Sequence, residues 1–441
     1  MNGIPVDAEV SKPTRVRWRI VALLMAYIAL CHFNRISMSV AGTEQIMPRY
    51  RIDETTMGFV YSSHLIVYTI CMIPGGWFID RFGARVALIV VGFGSAILVA
   101  FTGLTGLFFT TGGMLIAALL VVRGLFGAVT APVHPGAALA VRVWTPVAAR
   151  STANGMVVGA ACFGISATYF AFGIMSDYLG WIGAFVTAGV ATSLLALVWT
   201  SYSASSPGQH RGVNQAEREV IEKGSVSFAA LPKEKASWSA AVKIGLFALT
   251  FSYATVSYVE YLFFYWIQYY FETVLDLGKT TGRLYGTLLT LAMGVGIVVG
   301  GWLCDRSIGR FGRRVGIAIV PVLGMAACSL GLGLGVLFEE PIVSVLCFMI
   351  AMAAIGATEA PFWTSAIEIG GRQAGKAAAI MNTGGNGGGL LAPIITPLFS
   401  HYFGWQAGLA LAAPICLLGA LPWFWIDVAA QSSDASGEDH P

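Results

Sequence analysis

The feature that most constrains this chain is a run of about 20 apolar residues, repeated from Trp18 to Val428 with short polar breaks between copies. A helix of that length crosses the hydrocarbon of a bilayer. In lipid every backbone polar group must be satisfied within the protein, and a helix does this alone. The chain is 56% hydrophobic and 11% charged, against about 25% charged for a soluble domain. The expected fold is an all-α integral membrane protein. The runs fall at 18–41, 57–79, 85–106, 112–138, 151–175 and 181–202, then at 242–270, 283–305, 315–337, 342–367, 375–400 and 406–428. That makes twelve transmembrane helices in two six-helix halves.

An even number of spans leaves both termini on one side. Lys12, Arg15, Arg17 and Arg19 precede the first span, and Arg81, Arg85, Arg142, Arg150, Arg306, Arg310, Arg313 and Arg314 fill later short loops. The positive-inside rule turns these segments to the cytoplasm. The expected location is a plasma membrane, the inner membrane of a bacterium, with both termini cytoplasmic. The run from Ile20 to Cys31 continues past Arg35 to Val40, too long for a secretory leader and without a small-residue cleavage site. The expected division is an N-terminal bundle at 1–202, a cytoplasmic linker at 203–240, a C-terminal bundle at 241–430 and a disordered tail at 431–441. Within the linker, Gln215–Lys223 has the pattern of a short amphipathic helix.

Several function classes drop out. A net charge of +3 gives no basic field for nucleic acid. The seven cysteines are scattered through apolar runs, without metal or disulfide spacing. No nucleophile–base set marks an enzyme, and no cofactor motif is present. The glycine run GVGIVVGG (294–301) lacks the Lys-Ser/Thr of a phosphate loop. The partners expected are the bilayer, a small organic anion and a coupling ion, and the chain is expected to act as a monomer.

Two arginines stand where arginines are costly. Arg35 and Arg123 lie inside the first and fourth runs. A charge at the bilayer centre costs roughly 2.5–3.5 kcal/mol on insertion scales. The guanidinium fork suits a carboxylate, to which it donates two parallel hydrogen bonds. A tether between helices is the rival role for each, more so for Arg123.

The halves also repeat. PGGWFIDRFGARV (74–86) and GGWLCDRSIGRFGRRV (300–315) align Gly76-Trp77 and Asp80-Arg81 with Gly301-Trp302 and Asp305-Arg306 at one offset. These paired loops, the span count and the central linker resemble the major facilitator superfamily. FNRISMSVA (33–41), IPGGWFIDRFG (73–83), NTGGNGGGLLAP (382–393) and the linker around Glu217 and Ile221 resemble its anion:cation symporter group. That group includes bacterial sugar-acid carriers and vesicular glutamate and sialic-acid carriers. The resemblance implies substrate contacts for Arg35, Arg123 and Tyr68. It also implies a conformational latch made of Asp80, Arg81, Arg85, Asp305, Arg306 and Arg310. Many bacterial members carry an aspartate at the position of Asn34 and a glutamate at the position of Thr130. Neither residue here titrates, which leaves the usual proton sites of the group unfilled.

Other acids remain within spans. Glu260 and Glu359 are candidates for coupling, because low dielectric favours the proton-carrying form of a carboxyl. Pairing with an arginine is their rival role. His134 is a further candidate. Tyr61, Tyr265, Gln268, Trp363, Thr364, Asn382 and Asn386 offer hydroxyl, ring and amide groups for a polyhydroxy acid. The resulting expectation is a secondary transporter that imports a small organic carboxylate, such as a sugar acid, by alternating access with proton coupling. Export, or uncoupled or sodium-driven movement of organic anions, are the alternatives within transport. A receptor or membrane enzyme is the alternative outside it.

Overall fold

A computed structural model describes residues 12–222, 238–338 and 340–426. The expected tail at 431–441 and the Pro232–Lys235 part of the linker lie outside the described residues.

The described residues form twelve long helices. In the first half they are α1 (Val16–Tyr50), α2 (54–82), α3 (84–108), α4 (Gly112–Trp144), α5 (150–179) and α6 (181–202). In the second they are α7 (Ala240–Val274), α8 (Lys279–Phe311), α9 (Arg313–Leu337), α10 (Pro341–Gly370), α11 (Ala374–Phe403) and α12 (Trp405–Phe424). Each is amply long at about 1.5 Å per residue. The outer faces are apolar: Ile73, Val298, Phe247 and Phe163 are all exposed. In water such a surface would aggregate, whereas in lipid it is the solvated face.

The internal repeat extends to the backbone. The α2–α3 corner turns on Gly83 in Arg-Phe-Gly, and the α8–α9 corner on Gly312, also in Arg-Phe-Gly, with φ 79° and 77°. The α5–α6 and α11–α12 corners turn on Gly180 and Gly404, each followed by tryptophan, with φ 66° and 85°. Only glycine enters this backbone region without steric cost. A helix pair can therefore join without a loop. The fourth helix of each half is also interrupted, α4 around Ala131-Pro132 and α10 around Ala357-Thr358. Glu359 thus begins a new helical segment.

The sequence ends α1 at Ala41, but the helix continues through a wider turn at Gly42–Ile46 to Tyr50. Thr43, Glu44 and Gln45 read as loop residues because they are polar. They remain helical because Glu44 and Gln45 find partners on other helices.

The linker helix Gln215–Glu222 packs on the first half at the end that carries the basic loops. The Glu217 side chain is fully buried. It accepts from the Arg15 and Arg17 backbone N–H groups at 3.0 and 3.1 Å and from Arg17 Nη1 at 2.5 Å. It thereby caps the start of α1, where free N–H groups and the helix dipole favour an anion. Asn214 Oδ1 accepts from the Glu217 N–H, and Asn214 Nδ2 donates to the Lys12 carbonyl. His210 fits between the Trp144 and Tyr202 rings. Glu217→Ala leaves the Arg17 guanidinium and two N–H groups short of a partner. Each charged hydrogen bond of this kind is worth on the order of 1.5–3 kcal/mol. The melting temperature in detergent is expected to fall by several degrees, and by less for Glu217→Gln.

Candidate functional site

The two intramembrane arginines lie together but do different things. Arg123 is 1% exposed. Its Nη1 donates to the Asn34 carbonyl at 3.1 Å and its Nη2 to the Arg35 carbonyl at 2.7 Å. Its guanidinium also stacks over Phe126 at 4.9 Å. Both fork nitrogens are committed to the backbone of α1 at the turn that carries Arg35. Arg35 Nη1 donates to Tyr261 Oη of α7 at 3.1 Å, and its guanidinium lies 5.1 Å from the centre of that ring. Arg35 makes no ion pair among the described residues. Its Nε and the Tyr265 hydroxyl are buried without a hydrogen-bond partner among the described residues. Tyr68 is buried on α2, stacked with His64. A buried cation bonded to a tyrosine hydroxyl and in no ion pair among the described residues is suited to receive a carboxylate from a ligand.

Across the interface stands an acid pair. Glu359 Oε2 accepts from Tyr253 Oη at 3.2 Å and from Trp363 Nε1 at 3.1 Å. Glu260 and Glu359 lie within hydrogen-bond reach of each other, and their Oε1 atoms have no donor among the described residues. A hydrogen bond between two carboxyls needs a proton on one of them.

The halves are drawn together at the end opposite the basic loops, the far end. Arg283 of α8 donates through Nε and Nη2 to both oxygens of Glu44 at 2.7 and 2.6 Å. Its Nη1 and Nη2 reach Asp177 at 2.5 and 2.8 Å. Glu44 has no exposed side-chain surface. Gln268 Nε2 bridges Glu44 and Glu272 at 2.7 and 3.1 Å, and Tyr269 donates to Glu54. Below this cluster Tyr61 and Tyr265 stack at 5.0 Å, and Ser39 donates to the Tyr265 carbonyl at 2.9 Å. α11 joins through proline chemistry. Pro397 has no N–H for the Pro393 carbonyl, and Trp266 Nε1 donates to that carbonyl instead at 3.1 Å.

The basic end is different. Asp80, Arg81, Asp305, Arg306 and Arg310 are all exposed. Arg81, Arg306 and Arg310 lie over their own helices' aromatic rings. Arg85 donates to the Thr200 and Ser203 carbonyls at the end of α6.

The sequence profile described as Major Facilitator Superfamily matches residues 23–389 and 369–441. The chain belongs to the Major Facilitator Superfamily. It is a multi-pass membrane transporter, with the twelve helices in two halves that this fold carries. The D-galactonate transporter of Escherichia coli O6:H1 is 26% identical over 95% of this chain and 97% of its own length. A probable galactarate/D-glucarate transporter of Bacillus subtilis is 28% identical over 89% of this chain and 86% of its own. Among solved structures, a bacterial homologue of the lysosomal transporter Spinster, inward-facing and unoccupied, superposes with TM-score 0.73 at 16% identity, covering 97% of this chain and 98% of that one. The inward-open xylose transporter of Escherichia coli gives TM-score 0.73 at 18% identity, covering 96% and 99%.

Within this superfamily fold, the residues expected at the site divide into groups. Arg35, Tyr68 and Tyr265 come together, Glu260 lies beside Glu359, and Trp363 donates to Glu359. Asn386 donates to the Asn382 carbonyl within α11 and faces Met72 of α2. Thr364 is half-buried on α10. Gln268 lies in the far-end cluster, and Tyr61 in the packed seam beneath it. Arg123 holds α1, and His134 sits edge-on to His32 at 5.2 Å.

Sequence reasoning missed Glu44, Asp177 and Arg283. Their only sequence signal is charge at the edge of an apolar run, which also describes an ordinary interfacial residue. Arg283→Gln leaves Glu44 buried and without its cation, a loss of about 3–5 kcal/mol from the closed far end. In a background without native cysteines, a Thr43→Cys probe is expected to react about tenfold faster or more with an impermeant maleimide once Arg283→Gln is added. An unchanged rate would contradict a gating role for the cluster.

Proposed function

We propose that this chain imports a small organic carboxylate of the sugar-acid class by alternating access. The observation that carries the reading is Arg35, a buried guanidinium at the interface of the halves, bonded to a tyrosine hydroxyl and in no ion pair among the described residues. The carboxylate docks on Arg35. Tyr68, Tyr261 and Tyr265 bind its oxygens, and Asn382, Asn386 and Thr364 serve the hydroxyl end. Arg123 positions Arg35 and does not itself bind the substrate. The names of the two bacterial relatives support the sugar-acid class.

The basic loops and both termini face the cytoplasm of a bacterial inner membrane, and the chain works as a monomer. The present arrangement, drawn together at the far end, is then the inward-facing state. Asp80, Arg81, Asp305, Arg306 and Arg310 are exposed in it, Arg85 is half-buried and bonded to the end of α6, and the six form the latch of the opposite state. A proton shared by Glu260 and Glu359 couples transport to the gradient. His134 is a poorer candidate for that role, since it lies against His32 and away from the pair.

A second reading, uncoupled or sodium-driven movement, is favoured by Asn34 and Thr130, which carry no titratable group. Uptake into proteoliposomes separates the two. With a panel of aldonic and aldaric acids, an inward proton gradient is expected to drive accumulation, and Arg35→Ala is expected to abolish it. Glu260→Gln and Glu359→Gln are each expected to remove the response to the gradient while counterflow exchange continues. Retained uptake in Arg35→Ala would overturn the site, and an undiminished gradient response in both glutamine variants would place coupling elsewhere.

A further inference from the structure

Behind the turn that carries Arg35, away from the substrate side, α1, α3 and α6 line a partly open cavity of about 10 Å³. Its wall includes Tyr27, Cys31, Asn34, Gly92, Ser95 and Thr192. Tyr27, Asn34, Ser95 and Thr192 are 4%, 0%, 3% and 7% exposed. Three of their polar atoms, Tyr27 Oη, Asn34 Oδ1 and Ser95 Oγ, have no hydrogen-bond partner among the described residues. Buried polar atoms rarely go unsatisfied, and each such atom costs about 1–3 kcal/mol. Three around one small cavity point to a shared ligand.

The hydrogen bonds fix what that ligand meets. Thr192 Oγ1 donates its one proton to the Ala188 carbonyl at 2.8 Å. It must therefore accept from Asn34, which donates through Nδ2 at 2.8 Å. The Asn34 amide cannot be turned over without losing that bond, so Oδ1 is left as a pure acceptor on the cavity wall. Tyr27 and Ser95 each carry a hydroxyl that donates or accepts. Gly92 makes the room: a Cβ there would lie 2.4 Å from Tyr27 Oη and 2.7 Å from the Ala196 Cβ.

We infer that this cavity is a binding site for a single water molecule, held by Tyr27, Asn34 and Ser95. The volume matches one water, which needs roughly 10–15 Å³. Tyr27 and Ser95 donate to the two lone pairs of the water, and the water donates to Asn34 Oδ1. The oxygens would also suit a small cation, but the charges do not. No carboxylate lines the wall, Arg35 is the next residue along α1, and the Arg123 guanidinium is bonded to the carbonyl of Asn34 itself. A cation there would face two fixed positive charges in low dielectric. The water joins α1 to α3 beside the support of Arg35, and it does not depend on which substrate is carried.

Two experiments test the site on the full-length protein. Crystal structures that order internal water, grown in sodium and in choline salts, are expected to show one peak at ordinary hydrogen-bond distance from all three atoms in both. No peak, or a peak only with sodium, would overturn the proposal. Tyr27→Phe and Ser95→Ala are each expected to lower the melting temperature. The double variant should fall clearly less than the sum, because both residues act through the same water. Fully additive losses, or a wild-type melting temperature that rises with sodium against choline at equal ionic strength, would also overturn it.

Discussion

The structure depends on the bond between Arg123 and the carbonyls of Asn34 and Arg35. A guanidinium within a membrane is costly, and two side by side repel each other. Arg123 offsets that cost by giving both fork nitrogens to backbone oxygens and its face to Phe126. The return is positional. The turn of α1 that presents Arg35 is held by a planar, bidentate donor, and Asn34 is held on its other side by Thr192. Arg35 can then remain charged and only partly satisfied, with Tyr261 as its one side-chain hydrogen-bond acceptor among the described residues. Lysine is a poor replacement for Arg123 here, because it lacks the two separate, coplanar nitrogens that each serve one carbonyl.

A similar logic closes the far end. Glu44 is buried and carries charge, and it is stable only while Arg283 and Gln268 supply donors. Those donors belong to the other half of the molecule. The pairing therefore exists only while the halves touch there, which makes it a property of one conformation. Backbone corners at Gly83, Gly180, Gly312 and Gly404 join each helix pair without an intervening loop. The linker adds a further constraint, since Glu217 fixes its first part to the start of α1.

The sequence already indicated the twelve helices, because bilayer thickness sets their length and the repeated Gly-Trp and Asp-Arg pairs relate the halves. It also indicated Arg35, since a charge inside an apolar run has few bland uses. It did not reveal the division of labour between the two arginines. That depends on which partner each fork meets, and the carbonyls of α1 carry no side-chain signature. Gln268 looked like a substrate contact because it is polar and lies on α7 near Tyr265. In the structure it lies one turn further along α7 and bonds Glu44, a residue 224 positions away in the chain. Arg283 is 239 positions from Glu44. Pairings across such separations are set by the packing of the two bundles, and local pattern does not encode them. The extension of α1 to Tyr50 was hidden for the same reason: its polar residues look like a loop until their distant partners are known.

The central claim is that Arg123 acts on substrate only through Arg35. Calorimetric binding of a transported sugar acid to wild type, Arg123→Lys, Arg35→Ala and the double variant tests it most directly. The account predicts that Arg123→Lys weakens binding about tenfold or more, roughly 1.4 kcal/mol, and adds nothing once Arg35→Ala is present. Wild-type affinity in Arg123→Lys, or independent losses that add in the double variant, would contradict it.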